Sequence, residues 1–230
     1  MTLMIQSPNS SLQDDAPRKL GVREKAALAT RASLLRAAIK IFAQYGLDGG
    51  SVDKISKAAK SHDRMIYYYF GNKEGLFVAV IEEIYKRFNV AESKLKLDLL
   101  DPLRSLEKIV QFILRYYRDH PEFVTLLNIE NLHKGKHIGQ ANFRDYSSTA
   151  IGVIDQVLAT GAQTGVFTSQ LKARDLYMMI AALGYFYQSN RYTLSAFLGE
   201  NLEAQSAFDQ WENFVISTVL KTIAPDSSNS

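Results

Sequence analysis

The stretch Ser51–Leu76, SVDKISKAAKSHDRMIYYYFGNKEGL, decides how the rest of the chain is to be read. It divides into two short helices, about Val52 to Lys60 and about Asp63 to Phe70, with a tight turn at Lys60-Ser61-His62 between them. Ser51 is a good N-cap for the first, because its hydroxyl can accept from a free backbone N–H. Val52, Ile55 and Ala59 share the buried face there, and the small Ala58 and Ala59 let a crossing helix come close. In the second helix Ile66, Tyr69 and Phe70 turn inward. Gly71-Asn72 then breaks the helix, and Asn72 can cap a long third one, predicted to run through Lys96.

The polar residues of this stretch suit a DNA groove. A helix turns about 100° per residue, so Tyr67, Tyr68 and Tyr69 cannot all point into a core. Tyr69 goes in with Ile66, and at least one of Tyr67 and Tyr68 faces out, where a phenol can bond a phosphate oxygen. Lys73 sits in the first turn of the following helix, against that helix's own dipole, and a bound phosphate would compensate it. Ser51 can touch a phosphate as well as cap. His62, Asp63, Arg64 and Met65 form the first turn of the second short helix, the position from which a reading helix contacts bases. Arg64 can pair bidentately with guanine. Asp63 can accept from a cytosine amine, or it merely complements the helix N-terminus and orders Arg64. Two short helices, a small turn and a crossing third describe a helix-turn-helix, although generic helical bundles contain such pairs too.

Upstream, about Lys25 to Tyr45 reads as a helix with Leu35, Ala38, Ile39, Phe42 and Tyr45 along one stripe, ended by Gly46. Residues 1–22 carry no apolar period and are expected to be a flexible tail. Its basic end, Arg18, Lys19, Arg23 and Lys25, either lies along DNA or is simply solvated. Downstream, the third helix of the stretch buries Leu76, Phe77, Val80, Ile81, Ile84, Tyr85 and Phe88. Asp101-Pro102 opens a further helix to about His120, since proline at the first helical position loses little. Pro121 restarts a helix that stops at Gly135. More helices follow at about Asn142–Thr164, Ala173–Arg191 and Leu202–Ile223. Strand-like alternation is missing. The chain is predicted to be all-α: an N-terminal three-helix DNA-binding unit over residues 25–75, a larger helical bundle over 76–224, and flexible tails at 1–24 and 225–230.

Composition agrees with this division. The 230 residues are 47% hydrophobic and 22% charged, ordinary for a globular protein, with a net charge of +3. Residues 1–75 hold 12 Lys and Arg against 7 Asp and Glu, whereas the remainder holds 15 against 17, so one end alone suits a polyanion. Cysteine is absent, which removes disulfides, thiolate metal sites and cysteine nucleophiles. The start lacks the basic region and apolar core of a secretory signal. The longest strongly apolar run, Met178 to Tyr187, is half of what a membrane span needs. A soluble, cytoplasmic protein with no membrane partner is expected. Neither a Gly-rich phosphate loop nor a nucleophile elbow occurs, so no catalytic residues are predicted. His133 and His137 have a zinc-like i,i+4 spacing, but Gly135 interrupts the helix and no cysteine or convincing carboxylate lies beside them; no metal and no cofactor are expected.

Residues 31–81 closely resemble the N-terminal domain of tetracycline-repressor-like transcriptional regulators. The resemblance rests on Phe42-Ala43-x-x-Gly46, on Ser51-Val52-x-x-Ile55, and above all on Tyr67-Tyr68-Tyr69-Phe70-x-Asn72-Lys73-Glu74-x-Leu76. It implies that Ser51, His62, Tyr67, Tyr68 and Lys73 anchor phosphates and that Asp63, Arg64 and Met65 face bases, with Val52 beside them at the start of its helix. The sequence departs from the family at the inner turn. Lys60 stands where a glycine is usual, His62 where a serine cap is usual, and Asp63-Arg64 replaces what is commonly Lys-Gly. An operator unlike the family's average is expected.

The resemblance further implies a homodimer through the last two helices, a roughly palindromic double-stranded DNA operator, and a small-molecule effector enclosed in the C-terminal bundle. Candidate effector-lining residues are the aromatics Tyr85, Phe88, Tyr117, Phe123, Tyr177 and Tyr187, with Asn128, Glu130, Asn131 and Gln188 as polar anchors, since a buried polar group needs a partner. The expected function is a ligand-responsive repressor. The alternatives are a ligand-independent or activating regulator, and a helical scaffolding protein with no DNA role.

Overall fold

The computed structural model describes residues 21–140, 144–168 and 171–225, with the side chains of 144–150 excepted. The expected tails over 1–20 and 226–230, and the helix start at Asn142, lie outside them. All regular structure among the described residues is helical. In order these are α1 (Val22–Gly49), α2 (Val52–Ala58), α3 (Asp63–Phe70), α4 (Lys73–Glu92), α5 (Pro102–Asp119), α6 (Pro121–Leu132), a short 3-10 turn (Ile138–Gln140), α7 (Arg144–Gln163), α8 (Ala173–Leu198) and α9 (Gln205–Ile223).

The expected caps form. Ser51 accepts from the Lys54 N–H at 3.2 Å, Asn72 Oδ1 from the Gly75 N–H at 2.7 Å, and Asp101 Oδ1 from the Arg104 N–H at 3.1 Å. Several boundaries move for local reasons. The start of α1 is Val22, so residues 22–24 are helical rather than tail. Gly46 (φ 73°) kinks α1 instead of ending it, and the chain resumes helical geometry to Gly49. Just before that kink the stripe fails: Tyr45 is exposed, with the Lys54 ammonium 4.2 Å from its ring centre. α4 stops at Glu92, not Lys96, because Lys94 and Leu95 bond back three residues in a tightening turn. α8 continues to Leu198, well past Arg191, until Gly199 supplies a left-handed cap. Leu202 packs into the turn before α9 rather than opening it.

At the N-terminal end, Leu34, Ile39 and Phe42 of α1, Ile55 of α2, Ile66 of α3, and Leu76 and Phe77 of α4 close a small core. Phe42 and Phe77 meet edge to face at 5.3 Å. Gly75 permits this arrangement: a Cβ there would lie 2.2 Å from the Phe70 carbonyl oxygen, so α3 and α4 approach only because the residue is glycine. The second core is built on α5, which touches α6, α7, α8 and α9. Arg115 of α5 makes two 2.7 Å bonds to the buried carboxylate of Glu212 on α9, a bidentate pair that keeps that carboxylate satisfied. α1 also packs on α6, and α4 reaches from the first core into the second.

Candidate nucleic-acid interface and effector core

The helix-turn-helix is closed by a left-handed lysine. The Ser61 N–H reaches the Ser56 carbonyl at 2.9 Å and the Lys60 N–H the Lys57 carbonyl at 3.1 Å, the two bonds of a Schellman cap. Lys60 occupies its left-handed position at φ 51°, where glycine is the cheaper residue. Ser33 of α1 donates to the Ala59 carbonyl at 3.2 Å and fixes the turn against the first helix. The Arg31 guanidinium lies 5.0 Å over the Phe70 ring, holding α3 from behind.

This scaffold sets the directions of the predicted contact residues. Ile66 is buried at the centre of α3, while Tyr67 is 54% and Tyr68 76% exposed. Both face out, where the tyrosine triplet required only one. Tyr69 and Phe70 are half-buried, and the Tyr68 and Tyr69 rings meet edge to face at 4.9 Å. Lys73 is half-buried in the first turn of α4, beside free backbone N–H groups. Ser51 is exposed and Val52 half-buried at the start of α2. His62 caps α3 by backbone conformation without a side-chain bond. Met65 is half-buried and, with Lys60, Ser61 and His62, walls a shallow cleft against Ala29 and Thr30 of α1. Asp63 accepts a short hydrogen bond from the Ser56 hydroxyl, so one carboxylate oxygen ties α3 to α2. Arg64 is exposed and pairs with no carboxylate among the described residues. Of the two readings of Asp63, the clamp accounts for one oxygen, and it is Ser56, not Arg64, that Asp63 orders.

The predicted effector residues separate into three groups. Phe123 of α6 is the centre of the first: Tyr117 of α5 stacks on it at 5.7 Å, Phe88 of α4 at 5.6 Å, and Tyr85 meets it edge-on at 5.5 Å. Tyr185 and Tyr177 of α8 close the far side, and Tyr117 meets Tyr185 at 6.3 Å. Burial pushes the Tyr85 phenol up to about 12 and that of Tyr117 well above its ordinary value, so both stay protonated donors. Asn128 belongs here but is not free: it accepts a short bond from the Tyr185 hydroxyl and donates to Ser189 at 3.0 Å. Asn131 is exposed beside Tyr185.

Glu130 forms the second group and is a correction. Its carboxylate is buried and accepts from the His137 N–H at 2.7 Å, the Ile138 N–H at 2.8 Å and the His137 ring Nδ1 at 2.8 Å. It therefore clamps the segment after α6 and is not a vacant anchor. The His137 ring in turn lies 5.0 Å from Phe77, edge to face. The carboxylate that meets a histidine is Glu130, three residues before His133, and it bonds His137 across the turn.

Tyr187 and Gln188 are the third group, also displaced from the expected pocket. They line a separate cleft of about 310 Å³ with Arg118, Arg191 and Phe208. The Tyr187 hydroxyl donates to the Leu202 carbonyl at 2.8 Å and its ring stacks on Trp211 at 5.4 Å. Beyond it Phe186, Leu198 and Phe214 are exposed, forming with Trp211 an apolar face on α8 and α9 around a hollow of about 460 Å³.

One residue of the core was missed. Glu92, on the last turn of α4, is 6% exposed, and its Oε2 has no hydrogen-bond partner. Burial pushes its carboxyl up to about 7, and its charge is felt by the Tyr117 and Tyr177 phenols. The signal was present, because Ile81, Ile84, Tyr85, Phe88 and position 92 continue one helical stripe. An acidic residue on an apolar stripe is the anomaly to look for.

Residues 34–80 match the family model described as bacterial regulatory proteins, tetR family, and residues 102–219 match the tetracyclin repressor-like C-terminal domain. The HTH-type transcriptional repressor NicS of Pseudomonas putida is 48% identical over 205 residues, covering 89% of this chain and 97% of that protein. The HTH-type transcriptional regulator RutR of Escherichia coli K12 is 24% identical, covering 91% and 98%. Two solved structures share the fold. A transcriptional regulator SCO4942 from Streptomyces coelicolor has a TM-score of 0.63 at 19% identity, covering 85% of this chain and 99% of that one. The fatty acid degradation regulator FadR from Bacillus halodurans has 0.62 at 20%, covering 88% and 97%.

Proposed function

The chain belongs to the tetracycline-repressor family of DNA-binding transcriptional regulators, and from that premise we propose that it is a homodimeric repressor released from a palindromic operator by a small molecule. The outward pair Tyr67 and Tyr68, flanked by Ser51 and Lys73, carries the DNA side of the proposal. These groups hold phosphates, while Arg64 and Met65 meet base edges from the first turn of α3. Residues 25–75 then act as the DNA-binding unit and 76–224 as the effector and dimerisation unit. The apolar face of Phe186, Leu198, Trp211 and Phe214 supports pairing through α8 and α9, which sets two copies of α3 about one DNA turn apart. A 48% identical relative that is a repressor favours repression over activation. Such a protein works where the chromosome is, in the cytoplasm, and no helix among the described residues is long and apolar enough to cross a membrane.

The effector acts by favouring the dimer whose reading helices are misplaced for DNA, which requires it to bind that form better than the DNA-bound one. Fluorescence anisotropy with DNA flanking the protein's own gene tests the DNA side. Tyr68→Phe with Lys73→Ala lowers affinity for every sequence, and the loss of the Lys73 cation flattens the dependence on salt by about one unit of slope. Undiminished binding by the double variant sinks the docking mode, and the absence of any binding by the wild type favours a scaffold.

A further inference from the structure

We propose that Glu92 is the recognition group of the effector site, and that the effector is a small ring compound presenting a hydrogen-bond-donating nitrogen to it. The inference rests on the effector core proposed above and names the chemistry that core selects.

A buried carboxylate oxygen with no partner is unfavourable, because it has lost water and gained nothing in exchange. Proteins of this size satisfy nearly all such groups. The other buried carboxylates of this molecule follow the rule: Glu130 accepts three bonds from the His137–Ile138 segment, and Glu212 is matched by the Arg115 fork. Glu92 alone among the described residues keeps a buried, unpartnered carboxylate oxygen. It is at the end of α4, facing phenols of α5 (Tyr117) and α8 (Tyr177), with Tyr85 two turns back on its own helix. No lysine, arginine or histidine acts on it from these elements. A buried carboxylate within electrostatic reach of two buried phenols, on which no cation among the described residues acts, is the environment that favours a donor from outside. An N–H satisfies Oε2, the rings cover the ligand's flat faces, and a positive nitrogen gains further from the ring faces. Above about pH 7, where the carboxyl is ionised, an anionic ligand is disfavoured, since it would meet an unscreened like charge.

The donor is either a protonated amine or the neutral N–H of an amide or heterocycle, and one matched series separates them. Calorimetry on the full chain uses benzylamine, benzamide and benzoate, with wild type, Glu92→Gln and Glu92→Leu. Gln keeps an acceptor oxygen but no charge, and Leu keeps neither; both relieve a burial penalty, so both are expected to fold, checked by melting temperature. If the selected donor is cationic, benzylamine binds wild type and weakens about tenfold or more in Glu92→Gln. Below about pH 7 its binding then releases a proton from Glu92 to buffer. If the donor is neutral, benzamide binds wild type and Glu92→Gln comparably and weakens by a similar factor only in Glu92→Leu. The inference is overturned if benzoate binds wild type best, if neither nitrogen probe binds, or if the Leu variant binds both undiminished. Adding operator DNA separates this from release. Binding through Glu92 that leaves DNA bound refutes release alone, whereas a compound that frees DNA equally in wild type and both variants refutes the role of Glu92 alone.

Discussion

The two ends of α4 are made of opposite materials. Ahead of Lys73 the polar groups of α3 point outward: the Tyr67 and Tyr68 phenols and the Arg64 guanidinium are exposed. At Glu92 the polar group points inward, where a buried carboxylate oxygen without a partner acts on the phenols of Tyr117 on α5 and Tyr177 on α8. The first end is local, assembled from one run of about 26 residues, so the spacing of a few side chains defines it. The second draws on positions between 85 and 185 and exists only after folding. A surface that meets a repeating polyanion needs charge and direction, whereas a pocket that tells one small molecule from another needs enclosure.

The widest test of this contrast removes what joins the two ends. Phe77 is fully buried between Phe42 and His137, and Phe77→Ala should cost about 3–5 kcal/mol in urea unfolding. A loss below about 1 kcal/mol would mean that the two cores hold independently of it. Next comes the inward end. The Glu92 carboxyl is higher in the folded chain than in the unfolded one, so the folded state keeps a proton that the unfolded state gives up. Stability should therefore fall as pH rises from the ordinary carboxylate range to about 7 and then level off. Glu92→Gln should abolish that slope, gaining on the order of 2–3 kcal/mol over wild type at high pH and nothing in acid. Melting curves that stay parallel across pH would show that the carboxyl is not under strain.

For the outward end, Arg64→Ala should lose about 1–3 kcal/mol of DNA affinity at particular base pairs only. A uniform loss over all operators would make Arg64 another phosphate grip. The smallest effect belongs to the turn. Lys60→Gly relieves a left-handed lysine but loosens the unfolded chain, for a net stabilisation of about 0.5 kcal/mol. Destabilisation by a similar amount would show that the Lys60 side chain contributes more than its backbone costs.

What the residues disclosed beforehand follows the same division. Ser51, Asn72 and Asp101 were legible as caps because a cap needs only its neighbours three positions on. The triplet Tyr67-Tyr68-Tyr69 was legible because helical geometry alone forces its members apart. Tyr45 was misjudged because Gly46 redirects the backbone after it and Lys54 offers its ring a cation. Glu130 and Asn128 were correctly seen as polar groups in need of partners, but the partners are protein: His137 and Ile138 lie across a turn, and Tyr185 and Ser189 lie on α8. Tyr187 and Gln188 are expected among the effector-lining residues with Tyr177, yet they line a separate cleft toward α9. Glu92 is hard to see in the sequence because it lies on a stripe that its apolar neighbours Ile81, Ile84, Tyr85 and Phe88 already complete.

α4 is also a rod. Its 20 residues make it about 30 Å long, and its backbone hydrogen bonds make it stiff along that length. A tilt of about 5° pivoting near Glu92 therefore carries Lys73 through roughly 2–3 Å, about the length of one hydrogen bond. Gly75 seats the Phe70 carbonyl directly on the rod, so α3 is carried with it. A change no larger than the width of an atom in the buried core is enough, by leverage alone, to shift the phosphate contact proposed for Lys73 by about a hydrogen-bond length.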